Sequence, residues 1–216
     1  GIELASGEIV AFLDADDEWQ KKHLETIYRL FIAFPEAGAY ATAYKIFSLE
    51  GKVGDPIYFG IPTPPWEGLL PNYFLSATPG YNPIITSVLC LKKEITSVIG
   101  MFRPGFSYGE DMDLIGRIAM RYPIAFSWEV GAIYHEDSED KLTAAGLTSG
   151  SQEPFVIAGR GAILNREVPE DMVHFILDYI NKLELNRAER IIKLGDNKQA
   201  RELILSCDTE LLRSRK

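Results

Sequence analysis

The chain has 216 residues, 46% of them hydrophobic, and 22 Lys and Arg against 31 Asp and Glu give it a net charge of -9. That length and composition fill one sizeable core with room for an appendage, while the excess of acids excludes a general binder of nucleic acid, whose phosphates would be repelled. No apolar run approaches the roughly 20 residues that span a bilayer, and the basic tail RSRK reads as a solvated end.

In chain order, Ile9 to Leu13 form a short apolar run that predicts a buried parallel strand, and it stops abruptly at Asp14, Asp16, Asp17 and Glu18. From Lys21 to Phe34 the apolar positions Leu24, Ile27, Tyr28, Phe31 and Phe34 recur at helical spacing until Pro35. Residues 38–49 predict a second strand, 51–67 a long irregular loop rich in Pro and Gly, and Ile84 to Leu91 a third strand. A short helix from Lys93 to Ile99 ends at Gly100, and a helix opening after Gly109 runs to about Arg121 with Leu114, Ile115, Ile118 and Ala119 on its buried face. Residues 124–134 return as a strand that meets His135, and the polar stretch beyond reads as a mobile segment. The last third is helical: Met172, Phe175, Ile176, Tyr179, Ile180 and Leu183 form one stripe, and two shorter stripes flank GDNK. Cys90 and Cys207 lack CxxC partners and read as buried thiols in a reducing compartment.

Clustered carboxylates behind a strand repel one another, and a divalent cation is the natural group to offset them. The acids at 14–17, the pair Glu110 and Asp111, and His135 each follow a strand or open a helix, so all can lie at one rim of an α/β sheet, where ligands bind beyond the carboxyl ends of strands. The plain alternatives are helix-capping aspartates for the loop, first-turn acids for Glu110, Asp111 and Asp113, and a surface histidine for His135. His23 and His174 read as structural, Trp19 and Trp128 as core aromatics, and Trp66 either stacks on a ligand or packs.

ASGEIVAFLDADDEW resembles the acidic-motif segment of family-two glycosyltransferases of the GT-A fold, in which A-x-G and a hydrophobic run precede D-x-D-D. GMFRPGFSYGEDMDLIGRIAMRYPI resembles their G-x-F and E-D-x-D-L acceptor-side helix, and IYHED their Y-x-H element, in matching order over residues 1 to about 138. The resemblance implies an α/β fold, a partial GT-A (Rossmann-like) mixed sheet flanked by helices with an all-helical C-terminal extension, divided as 1–150 (metal and acceptor half) and 151–216. It implies an inverting transfer from a nucleotide-sugar donor, a UDP-sugar by preference, to a hydroxyl of a saccharide or glycolipid. Asp16 would be the principal ligand of Mn²⁺ or Mg²⁺ with Asp14 and His135, and Asp14 would also meet the nucleotide. Asp111 would be the general base, with Glu110 and Trp66 toward the acceptor. A cytoplasmic site at the inner face of a membrane, with peripheral membrane association, follows from the same likeness.

Enzymes of this type begin with roughly 80 to 90 residues of base-binding sheet. None precedes Gly1, so a non-catalytic binding module is an alternative, and an open sheet edge predicts a homodimer. A phosphatase of the haloacid-dehalogenase type is a further alternative for a strand ending in D-x-D, but Glu18 stands where that pattern has Thr or Val.

Overall fold

The computed structural model describes residues 1–106, 108–136 and 152–207. The chain divides into two compact units, Gly1–Met101 with Ile118–Glu139, and Phe102–Arg117 with Asp140–Lys216. The first contains β1 (Ile9–Ala11), β2 (Glu18–Trp19), α1 (His23–Ala33), β3 (Ala39–Phe47), β4 (Val53–Gly54), β5 (Glu67–Leu69), α2 (Tyr73–Ala77), β6 (Leu89–Lys92) and α3 (Thr96–Ile99). After helix α4 (Glu110–Ala119) the chain returns as the long strand β7 (Ile124–His135).

These strands form one mixed sheet in the order β1-β6-β3-β7-β2, with β4 added to β3 and β5 to β7. Strand β3 is its centre because AYATAYKIF alternates small with large residues: Tyr40 stands beside Cys90 on one side and Ala125 on the other. Helix α1 covers that row with Ile27 and Leu30, and the Phe31 ring meets Tyr40 edge-on at 5.7 Å. The packed face of α1 is rotated from the apolar stripe in the sequence. His23, Thr26, Ile27 and Leu30 are buried, whereas Leu24 and Tyr28 are exposed.

Strand β1 differs from the expected buried parallel strand. It has three residues, pairs antiparallel with β6, buries Val10 alone of the three, and ends the strand order. An apolar run reports burial and not the direction of its neighbour, and parallel pairing in this sheet is confined to β3 and β7. The third expected strand is likewise shortened, because Thr86–Val88 coils into a 3-10 turn before β6 begins. That turn proves to be the floor of the acidic loop.

Strand β7 carries an irregularity against β3, where the register shifts on either side of Ala43. Gly131 lies in it, and a Cβ there would stand 2.0 Å from Thr42 Oγ1 and 2.3 Å from His23 Nδ1. Glycine is therefore required by close approach, and the bulge turns the end of β7 so that His135 reaches the rim. Trp19 and Trp128 are half-buried and not core residues. Trp19 donates its indole N–H to the Ser87 carbonyl of the 3-10 turn at 2.7 Å, and Trp128 donates to the loop carbonyl of Pro62 at 2.7 Å.

The second unit holds most of α4 with α5 (Pro154–Leu164), α6 (Glu170–Lys193) and α7 (Asn197–Ser206). In α4, Leu114 and Ile115 are fully buried. A Cβ on Gly116 would stand 2.3 Å from the Phe155 ring, so this glycine lets α5 lie against α4. The stripe Ile176, Tyr179, Ile180 and Leu183 faces inward as expected. The stripe after Asn186, expected as a separate helix, continues α6 to Lys193 because nothing between Leu183 and Arg187 breaks it. Gly195, at φ +89°, makes the turn into α7, and the Asp196 carboxylate caps it by accepting from Gln199 N–H at 2.9 Å. Both cysteines are free and buried. The polar segment 137–151 and the RSRK tail lie outside the described residues. No helix among the described residues is long and apolar enough to cross a membrane.

Candidate active site

The acidic loop is a tight turn, closed by Asp17 N–H donating to the Asp14 carbonyl at 3.2 Å. Its four acids are treated differently. Asp14, Asp16 and Glu18 face solvent, and Asp17 is 8% exposed. Asp17 points inward because two groups receive it there. The Ser87 hydroxyl donates to Asp17 Oδ2 at 2.5 Å, and His135 N–H donates to Oδ1 at 3.1 Å. Ser87 Oγ in turn accepts Asp14 N–H at 3.1 Å, and its carbonyl accepts the Trp19 indole. Burial raises the Asp17 carboxyl above its ordinary range and the charge of Asp16 adds to this; the hydrogen bonds from Ser87 and His135 and the His135 charge oppose it.

His135 closes the same turn from the strand side. It pairs with Phe47 across β3 and β7, its ring lies 5.2 Å from the Phe47 ring, and its Nε2 stands 3.3 Å from Glu18 Oε1. The fold thus brings the loop and the histidine together, 118 residues apart in sequence.

The Glu110–Asp111 pair opens α4 in the second unit, after Gly109 at φ +74°. Burial raises the Asp111 carboxyl to about 6 and the adjacent Glu110 charge adds to it, against the lowering by the Met112 and Asp111 backbone N–H groups. One edge of Asp111 stays accessible. A carboxyl so placed takes up a proton near neutrality, as a general base must. Asp113, fully buried, is a structural acid. It accepts from Arg117 Nε and Nη2, both at 2.8 Å, and lies 3.5 Å from Arg103 Nε.

Residues 1–82, which contain the whole acidic turn, match the family model described as Glycosyl transferase family 2. That stretch belongs to the family-two glycosyltransferases. The mixed sheet with its flanking and C-terminal helices is consistent with their GT-A architecture. No curated protein matches the chain.

Of the residues expected in the glycosyltransferase site, Asp14 and Asp16 sit exposed on one turn, His135 borders it, and Glu110 and Asp111 are neighbours on the second unit. Trp66 is half-buried and folds back over its own strand: a Cβ on Gly68 would stand 2.6 Å from its ring. Among the described residues no group of three or more His, Cys, Asp or Glu side chains is arranged to hold a metal ion. A cage for an ion made by protein alone is thus absent among the described residues. Two exposed carboxylates on a turn do fit an ion that takes the remainder of its octahedral shell from phosphate oxygens and water. Ser87 and Asp17 build the turn, and Ser87 is a functional residue that the sequence does not mark. A serine in TSVLC carries no local sign of a partner 70 residues away.

Proposed function

We propose that this glycosyltransferase moves a sugar from a nucleoside-diphosphate donor, a UDP-sugar by preference, to a hydroxyl of a saccharide or glycolipid, by one displacement that inverts the anomeric centre. The observation that carries the proposal is the exposed Asp14–Asp16 pair on a turn held from beneath by Asp17, Ser87 and His135, inside the family-matched stretch. Asp16 and Asp14 would hold Mn²⁺ or Mg²⁺, whose charge neutralises the departing diphosphate. His135 would join that shell by leaving Glu18, and otherwise keeps the turn closed through its backbone N–H. Asp111 would take the proton of the attacking hydroxyl, Glu110 would bind the acceptor beside it, and the half-buried Trp66 would offer it a ring edge. An acceptor in lipid form would bring the chain to a membrane surface. Strand β1, at the end of the strand order among the described residues, would let two copies pair as a dimer, and a monodisperse monomer by light scattering would count against that part.

Calorimetric titration of Mn²⁺, with and without UDP, tests the core of the proposal. Wild-type protein should bind Mn²⁺ far more tightly when UDP is present, and Asp16→Ala should weaken that binding at least about 100-fold. Equal binding by the two proteins would remove the acidic turn from the donor site.

A further inference from the structure

The C-terminal helices reach the residues immediately before Glu110 and Asp111. Arg190, on α6 and 3% exposed, donates to Glu153 Oε1 at 2.5 Å. Its guanidinium carbon lies 4.5 Å from the centre of the Tyr108 ring, a stacking distance for a cation on an aromatic face. Glu153, 1% exposed, passes under the next residue: a Cβ on Gly109 would meet Glu153 Cγ at 3.1 Å. Gly109 at φ +74° is thus required both by its backbone conformation and by the side chain beneath it. Arg190, Glu153 and Tyr108 hold the turn that delivers the chain into α4.

Such a pair is a costly way to gain stability. Glu153 Oε2 has no hydrogen-bond partner among the described residues, and burial raises the Glu153 carboxyl against the lowering by Arg190, with a small addition from the like charge of Glu184. Buried, incompletely satisfied ion pairs contribute little net stability against apolar replacements. Their use lies in fixing one geometry, and the geometry fixed here is that of the backbone one and two residues before the acidic pair.

We infer that Arg190 is a positioning residue for Asp111: stacked on Tyr108 and held by Glu153, it fixes the 108–109 turn and so keeps the Asp111 carboxyl enclosed at the start of α4. The C-terminal helices are then part of the proton-accepting site and not a separate appendage. This rests on the reading of Asp111 as the base only for its catalytic consequence; the enclosure itself is measured without substrate.

The test is the titration of the Asp111 side-chain carboxyl carbon by NMR in the full chain. The charged and titratable groups around it that share the Tyr108 environment are Glu110, Glu153 and Arg190, so the variants are chosen to change no net charge. In Arg190→Met with Glu153→Gln, which removes the pair without stranding a charge, the Asp111 midpoint should fall from about 6 by roughly one unit toward the ordinary aspartate value, as water enters the loosened turn. Tyr108→Leu, which leaves the ion pair intact, should shift it in the same direction, and decides the matter if the double variant does not fold. Arg190→Lys keeps the charge without the planar stack and should fall between wild type and the double variant. A midpoint unmoved or raised in folded Tyr108→Leu and in the folded double variant overturns the inference. Loss of the base role is seen separately: Asp111→Asn with unaltered transfer would discard that reading and leave the titration result standing.

Discussion

Two acidic clusters among the described residues are treated in opposite ways. On the turn of the first unit, Asp14 and Asp16 are exposed and one member, Asp17, is turned inward against a hydroxyl and a backbone N–H. In the second unit the acids are enclosed, Asp113 and Glu153 beside arginines and Asp111 with a carboxyl raised to about 6. An exposed pair can meet a cation that arrives with its ligand. An enclosed carboxyl has a tuned affinity for a proton. The difference teaches that acid clusters alike in sequence are told apart by what lies beneath them.

The largest expected effect separates the two clusters by kinetics. Asp111→Asn keeps the shape of the side chain and removes its basicity, so kcat should fall by about 10²–10⁴-fold while Mn²⁺ and UDP binding stay near wild type. In the wild type kcat should also fall as pH drops through about 6, because the protonated carboxyl cannot accept the acceptor's proton. Retained turnover in the Asn variant would erase the contrast between a proton site and a cation site.

Arg117→Met breaks the comparison from the structural side. It leaves Asp113, fully buried, with Arg103 at 3.5 Å as its remaining described cation. Removing one partner of a buried pair costs about 3 kcal/mol, read as a lower urea midpoint at unchanged slope. A variant as stable as wild type would mean that the Asp113–Arg117 pair adds no net stability.

A pH experiment sharpens the comparison, since one buried group in each unit, His23 and Asp111, should respond to acid with opposite sign. His23, 1% exposed beneath the sheet, has its imidazole pushed by burial down to about 4. The unfolded chain binds that proton near pH 6.5 and the folded chain does not, so stability from this group is lost as pH falls from about 6.5 toward about 4, up to about 3 kcal/mol. Asp111 runs the other way: its raised carboxyl favours the folded state below its ordinary range, and that contribution disappears as pH rises through about 6. His23→Gln should flatten the acid dependence of urea unfolding in the first unit. An unchanged slope would show that His23 is solvated.

The parts legible in the sequence were those governed by local pattern. Helix α1, the central strand β3, the helix after Gly109 and the strand ending at His135 all follow from periodicity and breakers, and the family likeness around Asp14 and Asp16 needed one continuous segment. What stayed hidden depended on distant partners. The antiparallel edge position of β1, the 3-10 turn at Thr86–Val88, and the inward turn of Asp17 are set by pairings across the sheet that no spacing rule reports. Arg190 was hidden for a related reason: in RAERIIK it reads as one more solvated arginine, and only the packing of α6 puts it under Tyr108.

The smallest effect concerns the residue that the sequence did not mark. Ser87→Ala removes one hydroxyl that accepts from Asp14 N–H and donates to Asp17. Asp17 keeps the His135 N–H, so the carboxylate loses one partner out of two, and the expected cost is about 1–3 kcal/mol of stability. Because Asp17 is close enough to the surface to turn outward and recover water, the lower end of that range is favoured, with a specific consequence. The turn beneath Asp14 and Asp16 opens, and Mn²⁺ affinity in the presence of UDP falls by about 10-fold through loss of orientation. Ser87→Thr retains the hydroxyl and should restore both quantities. If Ser87→Ala lowers stability and leaves Mn²⁺ affinity untouched, the exposed pair does not need its buried floor, and the two clusters differ in solvation alone.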